Sequence, residues 1–520
     1  MRVPVLLSCV LVSLLGVVLP SIARGQAPCD ASCDHVIEPA SRFIDGAAIE
    51  PGDTVCIRGG TTQTLAIRDV RGSAAAPVLI RACDAPLIVG GGTSTNGISI
   101  QTSSYLRITG GAERSIRVVG GPTYSVGVTV NSCTEHLEVD GLEVSGTTYT
   151  AYRNLSESDA CLVRTGFSLH HWFIHDVGGE GMFFGANLPS SPYRLVDVEV
   201  YANRVERTGM QGIKIGTTVD DAHVHHNWVI DAGTREIGGE DTGITGSASH
   251  FLIERNIILR STRSCIFAGG PDLHVIDNLL LACGDAAMST NGSAPTRTRI
   301  LHNTMIGMNG AALNMWASGP TDCAFANNLV VDLPDGARVG ITDGSTWRVA
   351  GNLTVSTAEA GFATTIDLLA ADFASLDVAP FALAPGSMAI DAGSSDFRDE
   401  VSADILGIAR DAAPDIGAHE WSAPMPDAGA LLDGGALLDG GALLDGGVVL
   451  GEDGGGPASD AGVARDAAGS DAGPPSNGGG CSVGRGASPR WIFALLALAL
   501  LARRGATSQA SPRRDARRSV

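Results

Sequence analysis

Lysine is scarce in this 520-residue chain beside arginine, aspartate and glutamate, and aromatic residues make up only 5% of it. The formal charge of −21 excludes a broad face for nucleic acid or another polyanion and leaves room only for a local basic cleft. With so few large rings, the 44% of hydrophobic residues must build a core of stacked Val, Ile, Leu and Ala. No cysteine pair or triple has the spacing of a zinc site. Long apolar runs are missing too. Val5 to Val18 is too short to span a bilayer comfortably, and Trp491 to Ala502 would extend only about 18 Å as a helix.

What is present begins with an export pattern. Arg2, the Val5–Val18 run, and small residues at Ala23 and Gly25 predict a leader over residues 1–25, cut before Gln26. Export makes disulfides the default for the cysteines at 29, 33, 56, 83, 133, 161, 265, 283 and 323. Cys56/Cys83, Cys133/Cys161 and Cys265/Cys283 are each separated by about one repeat and are expected to staple neighbouring coils. The count is odd, so at least one thiol stays free or pairs elsewhere.

The repeat itself is the strongest signal. Short β-branched segments recur around an asparagine: Asn203, Asn227, Asn256, Asn278, Asn303, Asn328 and Asn352, with His171 and Gly141 as weaker upstream members. From Asn203 the steps are 24, 29, 22, 25, 25 and 24 residues, a solenoid period. Earlier steps are longer, so those coils carry longer loops. The prediction is an all-β fold: a right-handed parallel β-helix of about ten coils over residues 26–355. Inward positions would hold aliphatics, and the asparagines would tolerate a left-handed bend and bond amide to amide between coils. A leucine-rich repeat, the main rival, lacks its leucine spacing and helical segments here.

Residues 356–423 would close the solenoid, with Asp391, Asp415, His419 and Glu420 in cap hydrogen bonds. Residues 424–480 contain three tandem GALLDG units and Gly-, Asp- and Ala-rich sequence that cannot bury a core. Their Asp-Gly pairs lack the nonapeptide period of calcium-binding repeats. Residues 481–520 join Cys481-Ser482, a hydrophobic stretch and an arginine-rich end.

Two resemblances follow from these residues. EPGDTVCIRGG (Glu50 to Gly60) and APVLIRACDAPLIVGG resemble the entrance of polysaccharide-lyase-like β-helices, the chondroitinase B and alginate lyase group, at the level of pattern over residues 36 to 355. The tail resembles the myxobacterial C-terminal sorting signal. This likeness implies processing and anchoring at Cys481, with export machinery and a C-terminal processing protease as partners, and display at the outer-membrane surface.

Aligning GEGMFFG, GMQGIKIG, DTGITG and SCIFAGG puts Phe183, Lys214, Thr245 and Phe267 on one outward stripe, with Glu180 and Gln211 beside it. The charged loop Thr234 to Asp241 would overhang this stripe. Phe183 and Phe267 suit stacking on sugar rings. Lys214 followed by Arg235 is similar to the base-and-arginine pair of the chondroitinase B-like lyases, in which lysine removes a proton beside a uronate carboxylate and arginine neutralises that carboxylate. The paired acidic calcium ligands of those enzymes are absent. Only Glu206 stands near, so no cofactor is expected, calcium being the weak alternative. Glu180, Glu240 and Asp241 form a second candidate set, a carboxylate pair for glycoside hydrolysis. The histidine-rich bends at His170, His171, His175, His223, His225 and His226 are read as polar bend residues with no metal. The expected partner is a polysaccharide or surface glycan, with binding or lyase-type processing as the function. The rival is a non-catalytic, structural or adhesive protein using the solenoid as a spacer.

Overall fold

The computed structural model describes residues 27–422 apart from short breaks at 93–94, 155–159, 189, 291–294, 316–318, 335–338, 341–346 and 364–380. The predicted leader, the Gly/Asp-rich linker and the Cys481 segment lie outside the described residues.

The chain winds as a parallel β-solenoid. One coil contributes Arg194–Tyr201, Arg204–Thr208 and Ile213–Ile215. The next lays Val219–His225, Trp228–Ala232 and Ile244–Gly246 on them in parallel. The first and second strands of each coil stack into a 23-stranded sheet, and the third strands form a separate sheet with 12 strands among the described residues. Because like strands stack in register, one residue position repeats up the tube about every 4.8 Å. Inward positions such as Val200, Val224, Val205, Val229, Ile213 and Ile244 are fully buried and make one continuous core, each such side chain stabilising by roughly 1.5–3 kcal/mol.

The asparagines form the expected ladder at the turn between first and second strands. Asn203 Nδ2 donates to Asn227 Oδ1 (2.9 Å), Asn227 to Asn256 (3.0 Å), Asn256 to Asn278 (3.0 Å), Asn278 to Asn303 (3.0 Å), Asn303 to Asn328 (3.0 Å) and Asn328 to Asn352 (2.9 Å). The left-handed residue is not the ladder asparagine but the one before it. Ala202, His226, Arg255, Asp277, His302 and Asn327 have φ of +52 to +55°. That bend swings the following amide into the tube, where it satisfies backbone groups of two coils at once. His171 and Gly141 are bend residues of the same kind, with φ of +58° and +63°, and the ladder position after His171 is Trp172, whose N–H donates to Asn203 Oδ1.

Four disulfides are present among the described residues, and one expected pairing is corrected. Cys133–Cys161 and Cys265–Cys283 bridge successive coils. Cys56 and Cys83 do not pair with each other. Cys56 lies opposite Arg81 and Cys83 opposite Arg58, a two-residue offset along adjacent strands that a disulfide cannot span. Each instead ties down the segment before the first strand, as Cys33–Cys56 and Cys29–Cys83, with Cα separations of 5.6 and 5.1 Å. Cys323 is a buried free thiol.

The closing segment lies along the flank of the solenoid. The second strands carry apolar residues on both faces: Ile258, Leu280 and Val330 point inward, whereas Ile257, Leu259, Leu279, Leu281, Leu329 and Val331 point outward. Ala360, Phe381, Leu383, Ala389, Ile405, Ile416 and Ala418 cover that outward face, which explains why IIL, LLL and LVV read as unbroken apolar runs. Arg410 is the polar bolt of this contact. It donates to Asp277 Oδ1 (2.6 Å), Glu420 Oε2 (3.1 Å) and the Gly417 carbonyl (2.9 Å), with no solvent exposure at Arg410 or Asp277. His302 Nδ1 meets the Asp415 carbonyl at 3.1 Å, Asp415 Oδ1 accepts from the Asp391 amide (2.8 Å), and Glu420 Oε2 accepts from the Asp415 amide (2.9 Å).

Candidate functional site

The site is built on the outer face of the 12-stranded sheet. Register places Arg153 beside Phe183, Phe183 beside Lys214, Lys214 beside Thr245, Thr245 beside Phe267, and Phe267 beside Ser289. Alternation does the orienting: Met182, Phe184, Ile213 and Ile215 belong to the core, so the residue between each pair faces out. Gly181, Gly212 and Gly243, each just before a strand, keep these coils close, since a Cβ on Gly212 would fall 2.4 Å from Val229 Cγ1.

Lys214 is the only lysine in the chain, and although it faces outward its side chain is just 6% exposed. Nζ donates to Glu240 Oε2 at 2.6 Å, lies 3.5 Å from Glu180 Oε1 and sits 4.9 Å from the centre of the Phe183 ring. The cover comes from the loop between Ala232 and Thr242. Its Thr234 hydroxyl donates to the Thr208 carbonyl (3.0 Å), and its Gly239 carbonyl accepts from Gln211 Nε2 (3.2 Å). Glu240 is thereby brought over a strand from which it is 26 residues distant in sequence.

Glu180 is almost fully buried and accepts from Thr150 Oγ1 at 2.8 Å. Burial, aided by the Glu180 and Glu240 carboxylates, pushes the Tyr149 phenol up in pKa and keeps it a proton donor. Burial likewise raises the Asp241 carboxyl despite Arg263 4.0 Å away. Two buried acceptors here have no hydrogen-bond partner, Gln211 Oε1 and Asp241 Oδ1, and neither does the buried donor Arg153 Nε. Thr245 Oγ1 is hydrogen-bonded to Thr242 Oγ1, and Phe267 is half-buried at the end of the stripe.

Glu180, Phe183, Gln211, Lys214, Glu240, Thr245 and Phe267 thus share one surface, with Asp241 at its edge. Arg235 stands apart: it is exposed, donates to the Gly178 carbonyl (2.9 Å), and its Cδ lies over Gly209. Glu206 is held by Arg204 and Arg207. Arg153, Tyr149 and Thr150 belong to the surface but are absent from the sequence-based set. The signal was available for Arg153, which stands 30 residues before Phe183, one long coil, in a T-A-Y-R segment parallel to E-G-M-F and Q-G-I-K.

No family model and no curated protein sequence matches the chain. Among solved structures it is similar to the pectate lyase Pel9A (14% identity, 75% of this chain and 96% of that one, TM-score 0.42). It is also similar to an alginate lyase from Paenibacillus sp. (14%, 55% and 95%, 0.32) and to a lacto-N-biosidase from Eubacterium ramulus (12%, 62% and 67%, 0.33).

Proposed function

We propose that this is an exported, surface-displayed protein that binds and processes polysaccharide on the outer face of its 12-stranded sheet, at the Lys214–Glu180–Glu240 cluster. The observation carrying this reading is a lone lysine held on an outward stripe between two carboxylates and beside an aromatic ring, under a loop. A residue with no function on an outer strand face gains nothing from such enclosure, because burying an ion pair costs at least as much as it returns. Phe183 and Phe267 supply surfaces for sugar rings, and Gln211 Oε1 and Arg153 Nε supply buried polar groups without a hydrogen-bond partner. Four disulfides accord with an oxidising compartment.

For the chemistry, the geometry favours the carboxylate pair over the lysine base. Lys214 Nζ is tied up between carboxylates, donating to Glu240 and ion-paired with Glu180, and Arg235 is turned away to Gly178. Glu180 Oε1 and Glu240 Oε2 lie 3.5 and 2.6 Å from one amine nitrogen, which caps their separation at about 6 Å, short of the roughly 6.5–9.5 Å of an inverting pair and compatible with the closer spacing of an acid-and-nucleophile pair. Lys214 then positions both acids.

The test is to incubate the full-length chain with uronic-acid and neutral polysaccharides, following new reducing ends and unsaturated products separately. Reducing ends without unsaturation, falling by roughly 100-fold or more in Glu240→Gln, support the acid pair. Unsaturated products abolished by Lys214→Met would instead restore the lysine base. Neither binding nor turnover across the panel would leave the solenoid a spacer.

A further inference from the structure

On the other sheet, the outward row Asp140, His170, Tyr201, His225 and Glu254 runs up the first strands in register. Two consecutive-histidine pairs sit on it, His170-His171 and His225-His226. On a flat strand consecutive side chains point to opposite faces. Here the second histidine of each pair is the left-handed bend residue, with φ of +58° at His171 and +53° at His226, and the bend turns its ring back beside the first. The Nδ1 atoms are 2.8 Å apart in one pair and 2.7 Å in the other.

Among the described residues only the first pair has a carboxylate oxygen in reach of both Nδ1 atoms; at the second, Glu199 meets His225 at Nε2 instead (3.3 Å), with His223 nearby. Asp140, one coil back, places Oδ1 3.1 Å from His170 Nδ1 and 3.2 Å from His171 Nδ1. An ion about 2.0–2.1 Å from each of three tetrahedrally disposed N and O ligands would hold them about 3.3 Å apart, so a few tenths of an ångström of opening completes the fit. The outer partners are also those a metal site needs. His170 directs its other nitrogen, Nε2, at Glu138 Oε1 (3.3 Å), and Asp140 Oδ2 accepts from Thr109 Oγ1 (2.9 Å). His170 is nearly buried and rigidly stacked on Tyr201, with ring centroids 4.5 Å apart, whereas His171 is half-exposed and free to make the adjustment. At the second pair the residue one coil back is Tyr201, a phenol stacked flat on His225, so no carboxylate meets the two Nδ1 atoms.

We propose that Asp140, His170 and His171 bind one divalent transition-metal ion, zinc foremost, through Oδ1, Nδ1 and Nδ1, with the fourth position open to solvent beside His171. The site lies on a different sheet from the Lys214 stripe and is independent of the function proposed there.

The test uses the untagged full-length chain, stripped with a chelator and titrated with zinc alone by calorimetry, with cobalt(II) as a spectroscopic stand-in. One equivalent of zinc should bind, with the intense visible absorption of tetrahedral cobalt. Affinity should fall by roughly 100-fold or more in His171→Asn, which keeps a residue tolerant of the left-handed bend, and in Asp140→Asn. It should fall about 10-fold in Glu138→Gln and stay unchanged in His225→Ala. A metal-free melting temperature matching the parent's shows that each variant is folded. Zinc uptake equal in parent and His171→Asn, weak octahedral cobalt absorption, or no saturable binding would overturn the proposal.

Discussion

Replacing Asn278 by alanine tests the ladder at its centre, and its cost follows from the partners that side chain serves. Asn278 Nδ2 donates to the Ile253 carbonyl (2.9 Å), the Ile276 carbonyl (3.0 Å) and Asn303 Oδ1 (3.0 Å). Its Oδ1 accepts from the Asn256 amide N–H (2.9 Å) and from Asn256 Nδ2 (3.0 Å). After truncation Asn256 Nδ2 keeps the Val224 and Glu254 carbonyls, and Asn303 Oδ1 keeps the Asn278 amide. The Asn256 amide N–H is left buried without a partner, and two carbonyls each lose a donor. An orphaned buried donor costs about 1–3 kcal/mol and each lost hydrogen bond about 1 kcal/mol, so the expected loss is about 3–5 kcal/mol. Urea unfolding should show this as a lower midpoint at unchanged slope. Asn352→Ala, at the partly exposed end of the ladder, where Nδ2 serves the Phe325 carbonyl and Oδ1 accepts from the Asn328 amide N–H (2.9 Å) and Asn328 Nδ2 (2.9 Å), should cost less, because water can reach the groups it leaves unpaired. A loss below about 1 kcal/mol at Asn278 would refute the view that the ladder binds coil to coil.

Two further outcomes concern the flank segment. Burial drives Asp277 up to about 7 and Asp415 up to about 6, against the attraction of Arg410 on Asp277. Both carboxyls are raised above their unfolded values near 4. Their contribution is therefore complete below that value and lost as pH rises through 6 and 7. The melting temperature should be higher at pH 5 than at pH 8, and Asp277→Asn should flatten the difference; an unchanged slope in that variant counts against the assignment. Arg410→Leu strips Asp277 and Glu420 of their buried counter-charge and should cost about 3–5 kcal/mol, more at pH 8 than at pH 5. Limited proteolysis should then cut the 381–422 segment before the coils, and an uncut segment would show that Arg410 does not hold it.

The coil period was legible because each coil needs the same few things at the same places: an inward aliphatic, a bend and an amide. Those demands are local, so they print a 22- to 29-residue rhythm from Asn203 onward. The same counting aligns Phe183, Lys214, Thr245 and Phe267, because a period-2 strand in a registered stack leaves no freedom about which face a residue takes. What counting could not reach were contacts made by the irregular parts of each coil. Cys56 and Cys83 are nearly one period apart, yet a two-residue offset sends each to a different partner. Arg235 follows Lys214 at a suitable interval in sequence but turns onto Gly178.

The sequence by itself therefore determined a stacked-coil, all-β body, its aliphatic interior, its asparagine spine and the outward row that carries Lys214. Tertiary structure alone decided that Glu240 closes over the lysine, that the 381–422 segment covers the outer faces of the second strands, and that His171 folds back to meet His170 and Asp140. The physical reason is one of range. Strand alternation and coil period are repeated locally and leave a pattern, whereas a loop crossing a strand or a left-handed turn redirecting one ring is a single event, fixed only when distant backbone segments pack.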